Sequence, residues 1–122
     1  MANIQQSLRA AMEIEGAIGV ALVDWQSGMT LGTAGGGQSL DLEIAAAGNT
    51  EVMRAKMRVA DALKLDDFIE DVLITLGKQY HILRPLKKGS NSLFLYMVID
   101  RKRGNLGLAR HQISKIENEL TV

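Results

Sequence analysis

The feature that most restricts the fold is a predicted helix carrying more apolar surface than one sheet face can cover. Ser39 or Asp41 is a suitable N-cap for it, and the pattern continues to about Leu65. We placed Leu42 at zero and advanced 100° per residue, the α-helical period. Apolar and small residues then fill an arc of about 220°: Leu42, Ala45, Ala46, Gly48, Val52, Met53, Ala55, Met57, Val59, Ala60, Ala62 and Leu63. The remaining side holds Glu43, Thr50, Glu51, Arg54, Arg58 and Asp61.

So wide an arc predicts that the helix is buried on two sides. A helix that covers a sheet needs an apolar stripe of only ~100° or somewhat more. We therefore expect one side of this helix to contact its own sheet and the other to contact a second copy of the chain. Asn49 and Lys56 lie within the arc, where a polar residue can fix the register of a pairing. Alternatively, both lie at a solvated rim, and the alanines are present for helix propensity.

The remaining pattern predicts an α-β-β-α-β-β-β-α order. We expect a first helix over residues 3–14, a strand pair over 17–23 and 29–34, and three strands over 68–76, 79–86 and 93–99. Asn105 is positioned to cap a last helix. Residues 17–23 and 93–99 are apolar throughout, which is typical of central strands covered on both faces. Short connections favour a five-stranded antiparallel sheet with helices on both faces.

An acidic segment follows the long helix. Asp66, Asp67, Glu70 and Asp71 stand close together, and acidic side chains suit an edge strand because they discourage indiscriminate pairing. An edge strand beside an apolar helix favours a two-fold interface; the alternative is a solvated acidic turn before an ordinary strand. The candidate dimer interface comprises nine residues: Ala45, Gly48, Asn49, Val52, Lys56, Val59, Phe68, Glu70 and Val72.

Composition excludes several classes of function. The 122 residues fit one domain, residues 1–122, with a formal net charge of +0. Neutrality gives no reason to expect nucleic acid or an anionic membrane as a partner. No apolar run approaches the ~20 residues that span a bilayer, and the N-terminus lacks the pattern of a signal peptide. The chain has no cysteine, which fits a reducing compartment, so we expect a cytoplasmic protein.

We find no catalytic, cofactor or metal motif. His81 and His111 lack a helical partner at metal-ligand spacing. The glycines at 35–37 are not followed by the Lys-Ser/Thr of a phosphate-binding loop. The basic residues 101–103 are either a solvated charge run or an anion site beside a helix N-terminus. Trp25 is either a packing residue or an exposed docking anchor.

Three segments resemble one known family. Residues 16–24, followed by Gly28, resemble the first hairpin of the roadblock / dynein light chain family. Residues 41–46 resemble the start of that family's long helix. Asp100, with residues 105–107 and 109–110, resembles its last strand-to-helix junction. The resemblance covers nearly the whole chain through order and spacing rather than through one diagnostic motif.

The resemblance implies a profilin-like, three-layer α/β/α fold and homodimers or heterodimers formed by the long helices and neighbouring edge strands. Members are scaffolds and regulators, including dynein light chains and bacterial proteins paired with small Ras-like GTPases, some of which activate GTP hydrolysis. We therefore expect a non-enzymatic, homodimeric regulator of a small Ras-like GTPase that needs no cofactor. The alternatives are a profilin-like small-molecule sensor and a dynein-type light chain adaptor.

Overall fold

The computed structural model describes residues 2–38, 40–87 and 92–122. Within these residues, three helices and five strands follow one another in the predicted order. They are α1 (Ile4–Met12), β1 (Ala17–Asp24), β2 (Thr30–Gly35), α2 (Leu42–Ala62), β3 (Val72–Thr75), β4 (Gln79–Pro85), β5 (Leu93–Asp100) and α3 (Leu106–Glu119).

The strands form one antiparallel sheet in the order β2-β1-β5-β4-β3. Val20 pairs with Met97 across β1 and β5, and Leu83 pairs with Tyr96 across β4 and β5. The two wholly apolar strands, β1 and β5, are therefore interior strands, and β3 lies at an edge. Both predictions are confirmed.

Helices cover both faces of the sheet, which confirms the three-layer prediction. Alternate residues of β5 show the division: Leu95 and Met97 pack with α1 and α3, whereas Phe94, Tyr96 and Val98 pack with α2. Because both faces of β5 are covered, every residue from Leu93 to Ile99 is buried. Among the described residues, the backbone of α2 lies closest to β1 and β2 and farther from β4 and β3.

Side-chain caps explain where the helices begin. Asp41 is the N-cap of α2, and its carboxylate accepts hydrogen bonds from the backbone N–H groups of Glu43 and Ile44, both at 3.1 Å. Asn105 caps α3 in the same way through Leu108. The other cap candidate for α2, Ser39, lies outside the described residues.

Helix α2 ends at Ala62 rather than at about Leu65. Lys64 adopts a left-handed conformation with φ of 52°, and the N–H of Leu65 donates back to the carbonyl oxygen of Ala60 at 3.4 Å. Such a bond turns the chain out of the helix and satisfies a terminal carbonyl. Apolar periodicity alone does not reveal this ending.

Strand β3 begins at Val72, not at residue 68 as predicted. Its ladder with β4 starts at the pair Val72–Leu83, and continuing it backwards would place Glu70 opposite Pro85. The N–H of Leu86 donates to β5, so the nitrogen of Pro85 faces the β3 side. Because proline has no N–H, the ladder cannot extend there.

Candidate protein interface

One row of α2 side chains contacts the sheet. Leu42, Ala46, Thr50 and Met53 are buried, in agreement with the i, i+4 spacing of one helix face. The helical projection placed Thr50 on the polar side, and that placement is wrong. The hydroxyl of Thr50 donates to the carbonyl oxygen of Ala46 at 2.8 Å, which satisfies the polar group and permits its burial.

A second side of α2 carries the six predicted helix residues, which we call the α2 flank. Ala45, Asn49 and Val52 are half-buried, and Gly48, Lys56 and Val59 are exposed. Val59 is 48% exposed although its side chain is wholly apolar. The structure thus brings all six residues to one side of the helix, leaving much of that side open to solvent.

The direction of the α2 flank follows from two contacts of α2. The Asn49 side chain lies close enough to Tyr96, on the central strand β5, to lower the pKa of the Tyr96 hydroxyl. Arg54, on the opposite side of the helix, donates to the carbonyl oxygens of Trp25 at 2.6 Å and Gln26 at 2.8 Å, at the end of β1. The α2 flank therefore faces the half of the sheet that contains β4 and β3, while the opposite side of α2 is charged and engaged within the chain.

The other three predicted interface residues divide between a strand and the segment before it. Val72 lies in β3 and is half-buried. Phe68 and Glu70 are exposed, Phe68 by 67%, and both precede β3; their assignment to the strand is wrong. The structure therefore presents an edge strand, β3, beside the α2 flank, with an exposed aromatic ring just before that strand.

A chain of polar side chains lies beneath the α2 flank. The Tyr96 hydroxyl is 3.1 Å from Nδ1 of His81, and Nε2 of His81 is 3.0 Å from Oε1 of Gln79. A neutral histidine fits both contacts, accepting from Tyr96 and donating to Gln79. Burial lowers the pKa of His81. Burial raises the pKa of Tyr96, and the nearby Asn49 side chain opposes that change. Asn49 also donates to the Ala45 carbonyl oxygen at 2.9 Å, so it is more than a solvated rim residue.

Comparisons with solved structures identify this arrangement. Myxococcus xanthus MglB superposes with a TM-score of 0.78 at 20% sequence identity, covering 95% of this chain and 92% of that one. The Roadblock/LC7 domain from Streptomyces avermitilis superposes with a TM-score of 0.79 at 9% identity, covering 96% and 93%. The chain has the Roadblock/LC7 fold. The gliding protein MglB from Thermus thermophilus gives 0.68 at 16% identity, covering 94% and 88%. No protein-family model and no curated protein matches the sequence.

In this Roadblock/LC7 fold, a buried ionic network ties the segment before β3 to β4 and α3. Nε of Arg84 is 2.7 Å from Oε1 of Glu117, and its NH1 is 3.7 Å from Oδ2 of Asp71. The same Asp71 oxygen is 2.8 Å from Nε of Arg110, and the N–H of Lys87 donates to Oε2 of Glu117 at 2.9 Å. Arg84 and Glu117 are each only 3% exposed. The sequence pattern did not predict this network, although Arg84 within an apolar strand was an available signal.

The other sequence candidates have contacts within the chain. Arg101 donates to the carbonyl oxygen of Leu76 at 2.7 Å, and Arg103 pairs with Asp100 at 3.3 Å, so the basic run does not form a free anion site. The Trp25 ring packs against Phe94 with centroids 6.3 Å apart.

Among the described residues, no group of three or more metal-ligating side chains is suited to holding a metal ion. In that same part of the chain, no helix has the length and apolar character needed to cross a membrane.

Proposed function

We propose that the α2 flank and β3 form a two-fold homodimer interface of a single-domain protein, residues 1–122. The observation that carries this proposal is the partly exposed side of α2 next to the edge strand β3, away from the strands that α2 contacts most closely. Small residues at Ala45 and Gly48 allow a second helix to approach closely. An antiparallel β3–β3 pairing would continue the sheet across the two-fold axis and satisfy the open backbone edge.

The exposed apolar side chains are large enough to stabilise such a dimer. Val59 is 48% exposed, and Val52 and Val72 are half-buried in the single chain. Fully burying one aliphatic side chain contributes about 1.5–3 kcal/mol relative to leaving it exposed. Two-fold symmetry counts each contribution twice, because every residue occurs in both protomers. Several partly buried side chains can therefore offset the entropic cost of association.

We further propose that this dimer is a non-enzymatic, cytoplasmic regulator that binds a small Ras-like GTPase. Two observations support the proposal: the fold is shared with MglB over nearly the whole chain, and three segments of the sequence resemble the roadblock / dynein light chain family. That resemblance implies a GTPase partner, because the family includes bacterial proteins paired with Ras-like GTPases. No catalytic residue or cofactor enters the proposal, so any effect on hydrolysis acts through the conformation of the GTPase.

The dimer is tested by the mass of the protein in solution. The unmodified chain should have twice the monomer mass by light scattering. Val52→Glu or Val59→Glu should give monomers or poorly soluble protein, because each places a charge within the α2 flank. Ala47→Glu is the matched control, since Ala47 is exposed on the opposite side of α2, and it should remain dimeric. A monomeric unmodified chain at high micromolar concentration would contradict the proposal.

The GTPase proposal is tested with small GTPases encoded in the same genome, each loaded with GDP or with a GTP analogue. We expect one of them to co-elute with the dimer and to change its rate of GTP hydrolysis, measured as phosphate release. Ala47→Glu serves again as the control variant, because it leaves the α2 flank unchanged. Absence of binding to every such GTPase, together with a thermal shift on adding metabolites, would instead favour the small-molecule sensor.

A further inference from the structure

A cavity with a volume of about 430 Å³ lies below the C-terminal end of α2. This volume falls within the range of about 300–1,000 Å³ that is usual for ligand sites. Its walls come from the end of β1, the segment before β3 and the end of β4. Apolar side chains make up most of the lining: Trp25, Met57, Ala60, Phe68, Ile69, Pro85 and Leu86.

Three charged side chains complete the lining of the cavity: Asp61, Asp67 and Lys87. Asp67 accepts a hydrogen bond from the backbone N–H of Phe68 at 2.8 Å. Neither aspartate forms an ion pair with any cation in the described part of the chain. Two carboxylates against one ammonium leave the lining with a surplus negative charge. A cationic group is the complement to that charge.

The protein already places one cation at this site. The ammonium of Lys87 lies 5.3 Å from the centroid of the Phe68 ring, within the distance of a cation–π interaction. The ring face and the carboxylates therefore provide two separate attractions for positive charge. Lys87 shows what kind of group fits the ring, and it competes with any external cation for it.

We propose that this cavity binds an arginine or lysine side chain flanked by apolar residues on a partner protein. The apolar floor accommodates the methylene stem, and the rim carboxylates with the Phe68 ring hold the charged head. A protein segment fits better than a free small molecule because the apolar surface continues outside the cavity. Leu63 is 61% exposed and Leu65 is 52% exposed, in the same connection that leads to Phe68. All lining residues come from one protomer, although Phe68 is also a candidate residue of the dimer interface.

Trp25 is the single tryptophan of the chain and lines the cavity, so its fluorescence reports binding directly. The probe is the peptide acetyl-Leu-Arg-Leu-amide, and its neutral counterpart is acetyl-Leu-Gln-Leu-amide. We expect the arginine peptide to bind about fivefold more tightly. The double variant Asp61→Asn/Asp67→Asn should abolish that preference, whereas Asp66→Asn, an acidic neighbour outside the lining, should keep it.

Lys87→Gln provides a test in the opposite direction. Removing the internal cation should make the arginine peptide bind about two- to fivefold more tightly. A merely structural role for Lys87 predicts unchanged or weaker binding of the arginine peptide, and that result would overturn the proposal. Equal binding of the arginine and glutamine peptides to the unmodified protein would overturn it as well. Acetyl-argininamide binding as tightly as the arginine peptide would refute a protein partner and indicate a small-molecule site. Light scattering on the same samples separates this outcome from a failure of the dimer proposal.

Discussion

Replacing Arg84 with methionine should be among the most destabilising single substitutions in this protein. The variant Arg84→Met keeps an apolar stem in the core but removes the guanidinium that lies 2.7 Å from Glu117. The Glu117 side chain is only 3% exposed, and it would keep just the backbone N–H of Lys87 as a described partner. Removing one partner of a buried ion pair costs about 3–5 kcal/mol, because the remaining charge is buried without compensation.

This cost is large compared with the total stability of a small domain, about 5–15 kcal/mol. For a chain of 122 residues, it corresponds to a fall of about 12–20 °C in Tm. Arg103→Met is the matched control, because Arg103 and its partner Asp100 are 63% and 32% exposed. An exposed pair contributes only about 0.2–1 kcal/mol, so the control should lower Tm by about 1–4 °C.

The assays are thermal denaturation for Tm and urea denaturation for the free energy of unfolding, both followed by circular dichroism. All variants are compared at one protein concentration because dimer stability depends on concentration. The double variant Arg84→Met/Glu117→Leu should recover most of the loss, since an apolar pair often replaces a buried ion pair without cost. If Arg84→Met cost no more than Arg103→Met, the buried pair would not be stabilising the contact between β4 and α3, which would refute this prediction.

Three further outcomes follow from local structure. Burial lowers the pKa of His81 below its ordinary value of 6.5, so as pH falls the unfolded chain takes up a proton at this residue before the folded chain does. The free energy of unfolding should therefore fall as pH drops below 6.5. His81→Gln should remove this part of the loss, measured by urea titrations at pH 7.5 and 5.5. Gly16→Ala should destabilise more than Gly28→Ala by calorimetry: both glycines have positive φ, but a Cβ at Gly16 would lie 2.7 Å from the Gly104 backbone, whereas Gly28 faces open space. Asp41→Ala should cost about 0.5–2 kcal/mol in urea denaturation through loss of the α2 cap; an unchanged midpoint would contradict that role.

Most of the secondary structure could be predicted because it depends on local patterns. The apolar runs in β1 and β5 indicate interior strands, since only a sheet covered on both faces buries every side chain of a strand. Asp41 and Asn105 indicate helix starts, because their side chains are suited to accept hydrogen bonds from free N–H groups. These signals require no knowledge of which strands pair.

The errors arise where a residue's role depends on its neighbours in space. The start of β3 depends on which side of β4 the Pro85 nitrogen faces, and sequence does not reveal this before the strand order is known. Thr50 is buried because its hydroxyl finds an acceptor one turn earlier. The pairing of Arg84 with Glu117 joins residues 33 positions apart, beyond the reach of any periodic pattern.

The positions of the candidate interface residues were likewise predictable only where they follow from a local pattern. The helical period places the six residues of the α2 flank on one side whatever the sheet does. It does not place Phe68 and Glu70, which lie in an irregular connection rather than on β3. The cavity beneath α2 was not foreseen, because Trp25, Asp61 and Lys87 meet there from three distant parts of the chain.

The strand order has a consequence for synthesis on the ribosome. Strand β1 is made early, yet its inner neighbour is β5, whose residues are among the last to emerge. The backbone edge of β1 that pairs with β5 must therefore wait for most of the chain, because this non-local pairing cannot form earlier. Nascent chains of this protein should therefore keep that edge unpaired until β5 has left the ribosome.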